Sequence, residues 1–467
     1  MRFSFAALAA VVALAVVLVP VCGLPANSTL VPAPDFIVTA APSYVPLAEL
    51  RGQERFPKGA QLLLVHGGKA EPLVSGFAAS ADANLSFDAH TVLFSGKQSA
   101  ADPWQIWELN LTDHSVRKVV STDTDAERPL YLPGGRMVWA QRTAFGFQMQ
   151  SVEDGHPMPR KVLNPTTAPG MLLLTSVRAN AFPQDVLRDG RVLFESGFPL
   201  GEGSTPDLYL VYADGSGVES VRCDHGRARW GGTELASGDI VFTHGASLAR
   251  FTSPLAHEES LPTAPGSYSG AIAETVFGDW LVSVKEASEA HYTIKSRKPA
   301  AVAMRTVLAV SGQDLIEPVI VAPRTTPNRH PSGLHPWDYA NLLALDSRVS
   351  RDGDLKALPV AVRVESQDGD GHTITMGTAP VEKDGSFFVQ IPGDRPIRFE
   401  LLDFKGTVLR QEKGWFWARG GEQRICVGCH AGPERASENR VPDVLMHTTT
   451  PVDLTGKKPT VGAQGGH

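Results

Sequence analysis

Cys426-Val427-Gly428-Cys429-His430 is the run in this chain whose residue types and spacing most directly imply chemistry. Two thiols three positions apart, followed at once by an imidazole, allow both sulfurs to bond the vinyl-derived carbons of one haem while the His reaches the iron from one side. The same Cys-x-x-Cys spacing serves redox dithiols and half zinc sites, but zinc needs a second ligand pair and no other Cys-x-x-Cys occurs. The expectation is one covalent haem c, anchored by Cys426 and Cys429, with His430 as the axial ligand.

A sixth ligand would decide whether such an iron only passes electrons or also binds small molecules. Met446 and His447 are the nearest downstream candidates, although a packed Met and a solvated His at the end of a segment is the ordinary use of both. His330, His335 and His372 stand beside Pro or Gly in expected loops and could approach through the fold. Trp415 and Trp417 alternate like strand residues just before the motif, suited either to wall a porphyrin or to fill a β core. Arg419, Arg424 and Arg435 flank the motif and would pair with propionates or remain solvated.

The elements that must position these groups are mostly β. In 467 residues, 44 Gly and 35 Pro interrupt short runs of Val, Leu, Phe and Trp, and heptads are absent. From 36 to 315 a loose theme recurs at a spacing of about 40 residues. Asn84–Ser95 followed by Trp104–Asn110 is one copy, and Asp185–Ser196 followed by Asp207–Ser216 is another. Leu132–Trp139 and Ala236–Thr243 are shorter echoes. Each unit buries its faces only by packing on its neighbours, so the theme predicts a β-propeller of about six blades, with a β-sandwich as the rival reading. Residues 316–345 read as a Pro-rich linker. Pro359–Glu365, Gly377–Glu382, Gly385–Pro392 and Ile397–Leu402 then alternate as the strands of a β-sandwich, placing a sandwich and haem domain at 346–450 and a disordered tail at 451–467.

Met1-Arg2 followed by apolar residues to Val21 predicts a signal peptide over 1–23, and hence a periplasmic or secreted protein. Membrane attachment is expected only if Cys22 is lipidated or the signal is left uncleaved. With Cys22 removed, Cys223, Cys426 and Cys429 cannot build a disulfide framework, and Cys223 reads as a small buried apolar residue. A net charge of −7 without a long Lys/Arg run argues against a nucleic-acid partner. Gly-x-Ser-x-Gly, His-Glu-x-x-His and phosphate-loop patterns are all missing.

The propeller phrases resemble TolB-type repeats. Arg329-His-Pro-Ser-Gly333, Gly377–Phe387 and Trp415-Phe-Trp417 ahead of Cys426–His430 resemble the hydrazine synthase alpha-subunit family, loosely over the propeller and more specifically from about 320 to 442. The resemblance implies a middle domain that binds a c-type haem. The family's hydrazine-forming member has an axial Tyr four residues beyond the motif His, where this sequence has Glu434, and it continues into a second haem domain, whereas this chain ends 37 residues after His430. The expected function is an exported monohaem c-type cytochrome that hands electrons to a redox partner protein. Two alternatives stand beside it: a haem-containing oxidoreductase subunit that binds a small nitrogen compound, and a propeller-based binding module.

Overall fold

Short β-branched and aromatic runs separated by Gly-containing turns leave the backbone one economical option, the antiparallel ladder. Asp189-Gly190 shows the local logic. Gly190 takes φ +86° and its N–H donates to Leu187 O at 2.8 Å, and a Cβ there would lie 2.3 Å from Asn328 O. The computed structural model describes residues 34–152, 171–176, 180–198, 200, 203–222, 227–253, 256–350, 353, 355–428 and 440–456. Cys223, Cys429, His430, Glu434 and Arg435, and the leader at 1–23, lie outside them.

Among the described residues six sheets form the blades of a propeller. Blade 1 holds Phe36–Ala41, Gln61–His66 and Lys69–Pro72, and blade 2 runs through Ala79–Leu85, Thr91–Lys97, Gln105–Asn110 and Val116–Val120. Blade 3 comprises Ala126–Leu132, Arg136–Thr143, Gly146–Val152 and Met171–Leu173, and blade 4 comprises Ala181–Val186, Arg191–Phe198, Thr205–Tyr212 and Glu219–Ser220. Blade 5 holds Arg229–Glu234, Ile240–His244, Ser247–Phe251 and Glu259–Ser260, and blade 6 spans 266–308. The ring closes where Asp314–Ile320 joins blade 1, Phe36 facing Ile320 and Ala41 facing Asp314. The expected boundary at 315 therefore falls inside a strand. Pro318 reads as a strand breaker, yet it sits on the sheet edge beside a register slip, where a missing N–H costs no ladder bond.

Bulges re-aim the innermost strands. The register slips at Ala81/Asn84 in blade 2, at Glu127/Leu130 in blade 3 and in the closing pair, and Asp82, Arg128 and Glu317 at these slips have φ of 59°, 51° and 56°. Their side chains meet Arg55 and Glu49 from the segment between the first two strands. Arg55 pairs with Asp82, with Glu317 at 2.5 Å and with Glu49 at 3.3 Å, while Arg128 Nη2 donates to Glu49 at 2.5 Å. Burial opposes ionisation of Glu49, but Arg128 and Arg55 outweigh it and hold its pKa at about 2.

The second part of the molecule is the expected sandwich. One sheet has the order Gln423–Cys426, Tyr339–Ala344, Phe387–Pro392, Val452–Asp453, and the other has Thr373–Pro380, Ala361–Gln367, Ile397–Leu402, Val408–Gln411. Leu342, Val364, Phe387, Val389, Ile391 and Leu401 fill the space between them. Both boundaries move outward from the expected 346–450. Tyr339–Ala344, assigned above to the linker, is a strand whose Ala340, Leu342 and Ala344 point inward. Val452–Asp453, assigned to a disordered tail, pairs parallel with Val389–Gln390, and Leu454 is buried beside it. Alanines and a two-residue strand carry too little apolar signal to stand out in sequence.

Propeller and sandwich share a core. Trp415 and Trp417 are buried with Val186, Phe194, Tyr209, Val211 and Val218 of blade 4 and with Leu130, Val138 and Met149 of blade 3. Trp417 Nε1 donates to Gly215 O at 3.1 Å, and Arg419 Nη1 donates to Leu173 O at 3.0 Å. The two tryptophans are thus mainly the joint between the domains.

Candidate functional site

Cys426 ends the edge strand Gln423–Cys426, which runs parallel to Tyr339–Ala344 with Ala344 opposite Cys426. Leu345 N–H donates to Cys426 O at 2.8 Å and fixes that end. The period of two puts Arg424 and Cys426 on one side, while Ile425 on the other is 64% exposed. Burial pushes the Cys426 thiol above its ordinary value, more than Arg424 lowers it, so the sulfur is a protonated thiol at neutral pH.

The thiol faces a cavity of about 880 Å³ between the sandwich and the rims of blades 4 and 5. Tyr212, Phe251, Trp415 and Phe416 contribute aromatic surface, and Arg191, Arg222 and Arg424 contribute positive charge. Arg191 is held by Asp189 at 2.7 Å and Glu219 at 2.5 Å, and Arg424 Nη2 donates to Val218 O at 2.5 Å. Val427 and Gly428, the next two residues of the motif, also line it. Asp189, Glu219, Glu234, Glu412 and Glu422 line it as well, so the charge is mixed, and the volume and aromatic surface suit a large, flat, mostly apolar ligand.

Met446 and His447 stand elsewhere. They lie on the short helix Asp443–His447, tied to the sandwich by Val444 N–H donating to Ser386 Oγ at 3.1 Å. Met446 is 71% exposed and neither residue lines the cavity. His447 Nδ1 lies 3.0 Å from Glu382 Oε1, and that hydrogen bond raises its pKa. The charged pair contributes fully below about 6.5 and is lost as pH rises through the raised value. Glu382→Gln is expected to return His447 toward about 6.5, read by an NMR titration of its ring proton; an unchanged midpoint would break the assignment.

Of the three upstream candidates, His330 stacks on the cavity-lining Tyr212 with ring centroids 3.9 Å apart. His335 stacks on Trp337 at 4.3 Å, and His372 sits 3.3 Å from Asp368 in an exposed turn. Arg419 pairs with Asp394 at 2.8 Å and belongs to the interdomain joint. Sequence reasoning missed the far wall, Arg191, Tyr212, Arg222 and Phe251, because these residues read as ordinary blade positions and only the packing brings them to Cys426.

Residues 360–431 match the family model described as the hydrazine synthase alpha subunit middle domain. The matched stretch starts at the strand Ala361–Gln367 and takes in the whole Cys426–His430 motif. Kuenenia stuttgartiensis hydrazine synthase is similar in fold, with a TM-score of 0.73 at 17% identity over 89% of this chain and 72% of that one. TolB from Acinetobacter baumannii gives a TM-score of 0.46 at 13% identity over 62% of this chain and 67% of that one. No curated protein matches the chain.

Proposed function

We propose that the chain is an exported, haem-bearing redox subunit of the hydrazine synthase alpha type, which exchanges electrons with a protein partner in the periplasm or outside the cell. The observation that carries this reading is the Cys426 thiol in the wall of a large, aromatic-lined cavity, at the end of a domain that matches that family's middle domain. The residues fit one haem c. Cys426 and Cys429 would hold it by thioether bonds, His430 would ligate its iron, and Arg424 beside Cys426, with Arg191 and Arg222 on the opposite wall, would be available to propionates. Bound there, a haem supplies one-electron chemistry at its iron. Before attachment the chain presents the Cys426 sulfur as a protonated thiol, with Phe251, Trp415 and Phe416 as apolar surface around it.

The positions of Met446 and His447 favour a second reading of the same site. With Met446 exposed and His447 bonded to Glu382, neither is turned to the cavity, which supports a reading in which a haem held there would also bind a small molecule such as a nitrogen compound.

The mature protein is expected to be coloured, to show sharp α and β bands on reduction and to retain haem on a denaturing gel. Cys426→Ala with Cys429→Ala should abolish the retained haem. A colourless protein exported by a host competent in cytochrome c maturation would overturn the proposal. Carbon monoxide shifting the reduced spectrum would select the open-iron reading, and an unaffected low-spin spectrum would select the pure electron carrier.

A further inference from the structure

A second cavity, of about 270 Å³, lies among blades 2 and 3 and the segment that carries Glu49 and Arg55, and the haem reading makes no use of it. Its volume is that of about nine waters, below the range of drug-sized pockets. Glu49, Arg55, Phe56, Trp104 and Glu127 in its wall are each less than a tenth exposed. Glu49 Oε1 and Arg55 Nε are both buried without a hydrogen-bond partner, although they lie 3.3 Å apart as an ion pair. Lys97 also lines the cavity. Its side chain is 15% exposed, and its ammonium has Glu54 at 3.7 Å, beyond hydrogen-bond reach, and the face of Trp104 at 5.1 Å.

We propose that this pocket binds a small zwitterion of the amino-acid class, with its ammonium on the Glu49 and Glu127 carboxyl groups, its carboxylate on Lys97 and its side chain against Trp104 and Phe56. Arg142 is neutralised by Asp125 at 2.8 Å and Arg55 by Asp82, Glu317 and Glu49, so the most loosely paired cation of the wall is Lys97, facing the 53% exposed Glu54, beside a carboxyl pair and an apolar face. A net-neutral, dipolar ligand matches that set, whereas a simple anion or cation satisfies one pole and leaves the other bare. Burial and the neighbouring Glu49 push the Glu127 carboxyl well up, so Glu127 holds a proton beside the ionised Glu49 in the free protein. A ligand ammonium takes the place of that proton, which is released to solvent on binding.

Calorimetric titration of the full-length, haem-loaded protein with glycine, alanine, leucine and phenylalanine tests the proposal, with methylammonium, acetate and glucose as comparison probes. At least one amino acid is expected to bind about tenfold or more tightly than methylammonium or acetate, with proton release seen as a dependence of the heat on buffer ionisation. Lys97→Met and Glu127→Gln should each weaken binding about tenfold or more. Lys97→Met lies outside the buried carboxyl pair and keeps the test readable if Glu127→Gln fails to fold. Absence of amino-acid binding, binding of glucose alone, or unchanged affinity in Lys97→Met would overturn it.

Discussion

Arg55→Met should be the most destabilising single change in the propeller, costing about 3–5 kcal/mol, because it strands Asp82, Glu317 and Glu49 around an emptied centre. The attraction of a buried ion pair does little more than offset desolvation, so the loss comes from carboxylates left in the interior without a counter-charge. Thermal unfolding followed by circular dichroism should show a fall in Tm of roughly 10 °C. Arg250→Lys, which keeps a charge beside Asp239 and loosens the pair with the 52% exposed Glu259, serves as the control and should cost about 0–1 kcal/mol. Equal losses in the two variants would mean that the axial carboxylates are reached by water and that the network does not hold the blades together.

Trp417→Ala is expected to uncouple the two domains. Trp417 is fully buried, packs against blade 4 and donates to Gly215 O, so truncation removes about 3–5 kcal/mol of packing and leaves that carbonyl without its partner. The loss falls on the interface and not within either core. Calorimetry should therefore resolve one unfolding transition into two, the sandwich melting at the lower temperature. Trp417→Phe keeps most of the ring area but loses the N–H, and should cost about 1 kcal/mol with a single transition retained. A single, merely lowered transition for Trp417→Ala would show that other contacts carry the coupling. The cavity at Cys426 is formed by both domains, so an uncoupled variant should also expose its wall.

Much of the strand order is legible in the sequence. The Asn84–Ser95 phrase is the hairpin of blade 2, and Ile397–Leu402 coincides with a strand end to end. These depend on alternation and turn chemistry over a few residues, where sequence and backbone are directly coupled. The failures have a physical pattern too. Pro318 and Pro183 lie in innermost strands at register slips, so a rule that treats Pro as a breaker places the boundary wrongly. Bulges at Asp82, Arg128 and Glu317 carry non-Gly residues into the left-handed region, which no local propensity foretells.

By itself the sequence determined the motif at Cys426–His430, the β character of the chain and the succession of propeller and sandwich, because each follows from residue type at short range. Only the tertiary structure decided what surrounds the motif. Trp415 and Trp417 became an interdomain joint, Met446 turned to solvent, His447 paired with Glu382, and Tyr212 and Phe251 arrived as the opposite wall of the cavity. Which faces of distant elements meet depends on packing complementarity summed over the whole core, and residues some two hundred positions apart carry no local record of it.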